Sequence, residues 1–417
     1  MARTAIHHQR GVPPTGSGRC LPLVLAVVRR EQETGPRLQG VVKGMVMAAY
    51  KVIQWGTGGV GVWALRQVLD APDLELVGLK CATDAKVGVD AGIIAGRDPV
   101  GIAATKNAEE LVALDADVVL FMPRVSLKDP TIPGSPGAAW VDEVTPILAS
   151  GKNVVSSIAT GIHYRQLADG DSLVARLNAA CAEGNVSIFF TGVDPGFVSD
   201  ALAIALTSSV ADIAQVRTWE FIDYATYPVP EVMNELGFGM RPDQLDVTIV
   251  ESLHASWGCA PWLIAESLGV ELDEIRLDTD LYLSPRTFTA PGGTRIEAGT
   301  IGATRWTMTG VIDGQPRIMI NHVNRMGGDM APLWPSIGDK GGYRVELEAT
   351  PPYHGDFPLG QPGGTGTALD DAVVMTAARC VNAIATVVES PRGYKTLKDI
   401  RSFGARHGLR HNAKALQ

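Results

Sequence analysis

The chain has 417 residues, 46% of them hydrophobic and 19% charged, enough for two or three domains with a large core. A net charge of −9 without any basic patch excludes a nucleic-acid footprint. The five cysteines, Cys20, Cys81, Cys181, Cys259 and Cys380, stand far apart with no CxxC or His/Cys cluster. That excludes a disulfide framework or a zinc site and fits a reducing cytoplasm.

The first apolar run, "CLPLVLAVV" from Cys20 to Val28, is too short to span a membrane, and no membrane association is expected. It is followed by "RREQETGPRLQG" instead of a small-residue cleavage site. Residues 1–46 are expected to be a disordered or non-native extension, because Met45 and Met47 stand just before the first clear strand. A targeting segment and an ordered arm are the alternatives.

From Tyr50 strands and helices alternate. "YKVIQW", "LELVGLKC", "GIAAT", "ADVVLFMP", "NVVSS" and "VSIFFTGVDPG" read as strands. "GVGVWALRQVLDA", "KVGVDAGIIAG", "AEELVAL", "AAWVDEVTPILASG" and "YRQLADGDSLVARLNAACAEG" read as the helices between them. This rhythm predicts βαβ crossovers and a parallel, doubly wound sheet over residues 47–196. Beyond Phe197 a helix, "SDALAIALTSSV", leads into longer strands, "AQVRTWEFIDY", "EIRLDTDLYL", "TIGATRWTMTGVIDG", "QPRIMINHV" and "YRVELEA". Asp313–Gly314 marks a hairpin turn, and a helical region near residues 243–269 breaks at Gly258–Pro261. A second, α+β domain with a mostly antiparallel sheet is expected over residues 197–364. "GDFPLGQPGGTGTALDD" reads as a loop, and residues 365–417 hold a last apolar helix.

"VIQWGTGGVG" contains G-x-G-x-x-G at Gly56, Gly58 and Gly61, after a strand and opening a helix. That context makes it a dinucleotide-binding fingerprint of the Rossmann type. Gly56 permits the tight turn, Gly58 lets a pyrophosphate approach, and Gly61 lets helix and strand pack closely. Thr57, Gly59 and Val60 complete a helix N-terminus whose free N–H groups attract a diphosphate. The second strand carries no acidic residue at its end for a ribose 2′-OH; Lys80, Thr83 and Lys86 are placed instead to meet a 2′-phosphate. NADP(H) is therefore the expected cofactor, with NAD(H) as the alternative. Ligands bind at the carboxyl ends of such strands. Met122 and Pro123, Ser157, and Asp194 in "TGVDPGF" occupy three of those ends and are expected beside the nicotinamide; Asp194 is equally a turn former.

Hydride transfer to a carbonyl or imine needs a proton donor at the accepting atom. His163, just past "NVVSSIATG" and next to Tyr164, and His322 in "INHVNRM" are the two candidates. Glu220, Asp223 and Tyr224 lie in "WEFIDY", where strand geometry puts Glu220 and Ile222 on one face and Asp223 on the other. Trp257, Trp306 and Trp334 are candidates for an apolar pocket or for core, Arg325 for a carboxylate contact or a surface ion pair, and His254 is an outside candidate.

Several stretches together resemble the dihydrodipicolinate reductase-like oxidoreductases, in the branch of 2,4-diaminopentanoate dehydrogenase and the native amine dehydrogenases: "KVIQWGTGGVG", "DADVVLFMP", "GKNVVSS", "TGVDPGF", "IEAGTIGATRW" and "TAARCVNAI…SPRGYKTLKDI". The resemblance spans about Tyr50 to Ile400. It implies a Rossmann domain, a central α+β substrate domain, a C-terminal segment returning to the first, a homodimer, and reduction of a carbonyl or imine by NADH or NADPH. The amine dehydrogenases typically carry glutamate just after the strand matching "NVVSS"; Ile158, Ala159 and Thr160 stand there in this chain. The expected function is thus NAD(P)H-dependent reduction of a C=O or C=N bond in a small, partly apolar molecule. The alternatives are an amine dehydrogenase with a different acid and a non-catalytic dinucleotide sensor.

Overall fold

The computed structural model describes residues 49–123, 138–158, 170–245, 253, 256–338, 340–400 and 402–406. The expectations for residues 1–46, and for His163, Tyr164 and His254, fall outside these residues.

In β1 (Tyr50–Trp55) every residue from Val52 to Trp55 is buried, so the strand needs cover on both faces. α1 (Gly59–Asp70) covers one face through Ala64 and Val68. Alternation continues through β2 (Leu74–Lys80), α2 (Ala91–Ala95), β3 (Ala104–Thr105), α3 (Ala108–Val112), β4 (Val118–Phe121), α4 (Ala138–Ala149), β5 (Asn153–Ser156), α5 (Gly170–Gly184) and β6 (Ser187–Phe190). The short helices start where their sequences supply caps: the side chains of Asp90 and Asn107 accept from the N–H groups of Gly92 and Glu110.

The second half contains α6 (Ala203–Thr207), β7 (Ile213–Asp223), α7 (Pro230–Glu235), α8 (Cys259–Leu268), β8 (Glu274–Leu283), β9 (Phe288–Thr289), β10 (Arg295–Ile296), β11 (Ile301–Ile312) and β12 (Gln315–Arg325). It closes with β13 (Gly341–Ala349), β14 (Tyr353–Pro358), α9 (Ala368–Val388) and β15 (Gly393–Lys395). The first sheet runs β15-β6-β5-β4-β1-β2-β3, parallel throughout, which is the doubly wound Rossmann order with one strand added. The second sheet runs β14-β13-β7-β12-β11-β8; only β7 and β12 pair in parallel. Asp313 and Gly314 join β11 to β12 with φ of 52° and 68°, the double left-handed turn that a hairpin's twist favours.

β14 departs from the expectation of a loop beginning at Gly355: Tyr353–Pro358 pairs with β13 as the sheet's edge. An edge strand tolerates Gly and Pro because one side of its backbone needs no partner, so its composition hid it.

α9 ties the halves together. Ala368, Leu369 and Ala372 enter the core on one face of the second sheet, whereas Ala377, Cys380, Ile384 and Val387 enter the core under the first. By length and composition alone α9 is apolar enough to cross a membrane, but here those apolar residues pack against both sheets. β15 then pairs with β6, so the C-terminal segment does return to the first sheet.

Candidate active site

The glycine loop has the shape its sequence requires. Gly56 sits at φ +113°, and a Cβ there would meet the Met122 carbonyl oxygen at 2.2 Å. A Cβ on Gly61 would meet the Gly56 carbonyl oxygen at 2.2 Å. At Gly58, in contrast, an added Cβ meets nothing within 4 Å. That open space lies ahead of α1, which no side chain caps, so its first-turn N–H groups are free to take phosphate oxygens. Lys86 Nζ donates to the carbonyl and hydroxyl oxygens of Thr57, at 2.6 and 3.2 Å, which puts a cation on the loop. These residues fit a dinucleotide diphosphate. Thr57 is buried, while Gly59 and Val60 open α1 at the cleft.

Lys80 behaves differently from its expected role. Its ammonium lies 3.5 Å from Glu143 on α4 and 5.0 Å from the Trp55 ring centroid, already engaged. Thr83 is exposed at the start of a short turn, and the neighbouring Asp84 is drawn to Lys106 at 2.9 Å. Met122, Pro123 and Ser157 sit at the ends of β4 and β5. Ser156 donates to the Phe121 carbonyl at 2.8 Å and accepts from the N–H of Ile158, strapping the two ends together. Ile158, the first of the three residues after β5 that the resemblance sets against a glutamate, is half-buried and packs against the first-domain core; Ala159 and Thr160 fall outside the described residues.

The carboxylates gather elsewhere, on one face of the second sheet. Register sets Thr279, Trp306, His322, Glu220 and Tyr343 side by side across β8, β11, β12, β7 and β13. His322 is 1% exposed and sits within β12. Its Nδ1 lies 3.2 Å from Glu220 Oε1, and its Nε2 lies 3.2 Å from Asp194 Oδ2. The second contact is an ion pair not aligned as a hydrogen bond, since both Nε2 and Asp194 Oδ1 are buried without a hydrogen-bond partner. Glu220 Oε1 also accepts from Asn324 at 2.8 Å and Tyr224 at 3.1 Å, and Oε2 accepts from Tyr343 at 3.4 Å. The Trp306 ring stacks on the imidazole at 3.8 Å, and Trp257 meets it edge-on at 5.1 Å.

Asp194 reaches this group from the turn after β6, so the trio joins the cofactor sheet to the second sheet. Burial opposes charge on His322, but Asp194 and then Glu220 outweigh it and push the ring up to about 9. Burial and Glu220 likewise hold the phenols of Tyr224 and Tyr343 far above their ordinary range. The raised value favours a protonated His322 ring at neutral pH.

A cavity of about 150 Å³ opens against Glu220, His322 and Asn324. Its other walls include Leu236, Phe238, Leu245, Leu253, Trp257 and Leu281, so it offers an apolar space about the size of a benzene ring. Trp334 and Arg325 stand apart from it: Arg325 donates to the carbonyls of Met330, Trp334 and Pro335 and serves the 326–338 loop. Asp223 is on that same opposite face. Glu220 was readable as a candidate from strand alternation, but its meeting with His322 depends on pairing across 102 positions.

The family model for the 2,4-diaminopentanoate dehydrogenase C-terminal domain matches residues 197–414. An amine dehydrogenase of Streptomyces virginiae is 33% identical over 353 residues, covering 84% of this chain and 95% of that protein. A 2,4-diaminopentanoate dehydrogenase of Acetoanaerobium sticklandii is 23% identical over 263 residues, covering 62% and 69% respectively. The solved amine dehydrogenase from Mycobacterium smegmatis shares the fold, with a TM-score of 0.69 at 16% identity over 86% of this chain and 97% of that one. These matches favour the amine dehydrogenase alternative over plain carbonyl reduction, and an enzyme over a sensor. The chain belongs to the 2,4-diaminopentanoate dehydrogenase family and is an NAD(P)-dependent oxidoreductase of the amine dehydrogenase type.

Proposed function

We propose that this enzyme interconverts a small apolar amine and its ketone or aldehyde, with NADP(H) preferred over NAD(H). The observation that carries the reading is the buried His322 held between Asp194 and Glu220 at the wall of an apolar cavity. In the reductive direction, ammonia adds to the carbonyl, water leaves, the imine carbon takes a hydride and the nitrogen keeps a proton. A bound nicotinamide supplies that hydride. Gly56, Gly58, Gly61 and the α1 N-terminus would hold its diphosphate, with Lys86 near the adenosine end.

The side chains do the rest. Glu220 is the carboxylate on the cavity wall that an N–H of the ammonium or iminium would meet, while Asp194 backs His322 from outside the lining. His322 can protonate the departing hydroxyl and recover the proton in the reverse direction. Glu220 keeps the ring charged and oriented. The tryptophans and leucines exclude water, which would hydrolyse the imine. Among the described lining residues His322 is the only cation, and two carboxylates face it. A substrate carboxylate would thus meet net negative charge, so the reading favours simple amines over amino acids.

The test is NADPH oxidation with small ketones such as cyclohexanone, with and without ammonium, and the reverse reaction with the amine. Ammonium-dependent turnover supports the reading; equal rates without ammonium would return plain carbonyl reduction. The homodimer implied by the resemblance is checked by sedimentation of the purified protein.

A further inference from the structure

Asp194 is held from behind. It lies in the turn between β6 and α6, and the peptide groups of Gly196, two residues on, are fastened at both ends. The Gly196 N–H donates to Asp200 Oδ2 at 2.8 Å, and the Gly196 carbonyl accepts from Arg379 Nε at 3.3 Å and from the Thr191 hydroxyl at 3.2 Å. Gly196 has φ +123°, and a Cβ there would meet Gly192 N at 2.2 Å, so the turn is closed on itself. The Val193 N–H reaches Thr376 Oγ1 at 3.3 Å, a second tie to α9.

Arg379 is built in. Its guanidinium lies 5.0 Å from the Phe197 ring centroid and 4.0 Å from that of Phe403. Asp200 is 1% exposed, and Arg379 supplies the positive charge that opposes its burial and the repulsion of Asp194. Neither residue lines the substrate cavity, so neither touches a reacting atom. A half-buried arginine and a buried carboxylate on the two sides of one glycine are more than a turn needs, because Thr191 and the turn's own backbone already close it.

We propose that Arg379 and Asp200 are positioning residues that fix the Asp194 turn against His322, making the C-terminal helix part of the active site. The inference rests on the Asp194–His322–Glu220 reading above. If Arg379 is lost, the Gly196 carbonyl keeps only the Thr191 hydroxyl, Asp200 loses its counter-charge, and Asp194 moves from the imidazole. The ring then keeps Glu220 as its carboxylate, with the Tyr224 and Tyr343 phenols, Cys259 and the Asp200 carboxyl as the other titratable groups around the cluster.

The experiment is an NMR titration of full-length protein carrying ¹³Cε1-labelled histidine, with H322N to assign the resonance, in wild type, R379Q and R379K. In the wild type His322 holds its proton until about pH 9. In R379Q its titration midpoint falls by about one unit or more, and kcat falls roughly 10-fold to 100-fold with little change in NADPH affinity. R379K, which keeps the charge, recovers part of both. An unchanged His322 midpoint in folded R379Q overturns the proposal; should R379Q not fold, an unchanged midpoint in R379K does so. A wild-type His322 that titrates near its ordinary value instead sinks the active-site reading itself.

Discussion

His322 shows what one residue gains from its surroundings. Alone and buried, an imidazole loses its proton; between Asp194 and Glu220 it keeps it, pushed up to about 9. The pH consequence has a definite sign. A histidine raised in the folded state stabilises the fold fully below its unfolded value near 6.5, and that stabilisation is lost as pH rises through about 9. The thermal midpoint should therefore fall between about pH 7 and 10 in the wild type and stay flatter in H322N, as calorimetry across pH would show; parallel curves would rule the ring out as the source. E220Q should lower the His322 titration midpoint and draw the alkaline limb of kcat down with it. H322N itself should cost roughly 10²-fold to 10⁴-fold in kcat, the range for loss of a general acid. Strand alternation in "WEFIDY" exposed Glu220 as a candidate, and "INHVNRM" exposed His322. Asp194 read as a cofactor contact or turn former, because nothing in "TGVDPGF" reveals a partner on another sheet.

At the scale of elements, the β1–loop–α1 unit was the most legible, since each glycine answers a local steric demand. Gly58 and Gly61 separate its two functions. G61A forces a Cβ to 2.2 Å from the Gly56 carbonyl oxygen, so it should lower both the thermal midpoint and dinucleotide affinity. Gly58 has φ −75°, which alanine adopts easily, and open space beside it. G58A should leave the midpoint within about 1 °C of wild type yet weaken NADPH binding by roughly 10-fold or more, measured by nucleotide fluorescence. A G58A enzyme with normal affinity would mean that the diphosphate lies elsewhere. Lys80 was the misleading part of this unit. Its place at the end of β2 suggested phosphate binding, but Glu143 on α4, 63 positions further on, claims it, and Lys86 is the cation that reaches the loop.

For the whole molecule, the question is how two sheets come to share one site. α9 enters both cores, and β15 completes the first sheet on β6, the strand whose turn carries Asp194. Gly393 N–H donates to the Val186 carbonyl at 2.9 Å and Ser187 Oγ to the Pro391 carbonyl at 2.9 Å, so the tail is bonded to β6 at its start. A chain ending at Ser390 exposes that edge and should lose several kcal/mol of stability, visible as a lower denaturant midpoint. If its midpoint matches the full chain, β15 is ornamental to the first sheet.

The sequence by itself determined most of the elements, the parallel sheet and the glycine loop, because hydrophobic period, turn residues and glycine sterics act over a few neighbours. It also carried the family likeness. Only the tertiary structure decided which acid meets which base. Asp194, Glu220 and His322 are brought together by a turn after β6 and by the parallel pairing of β7 with β12, and pairing between distant strands leaves no local trace in the chain. The same packing sets Ile158 against the first-domain core and brings Asp194 to His322.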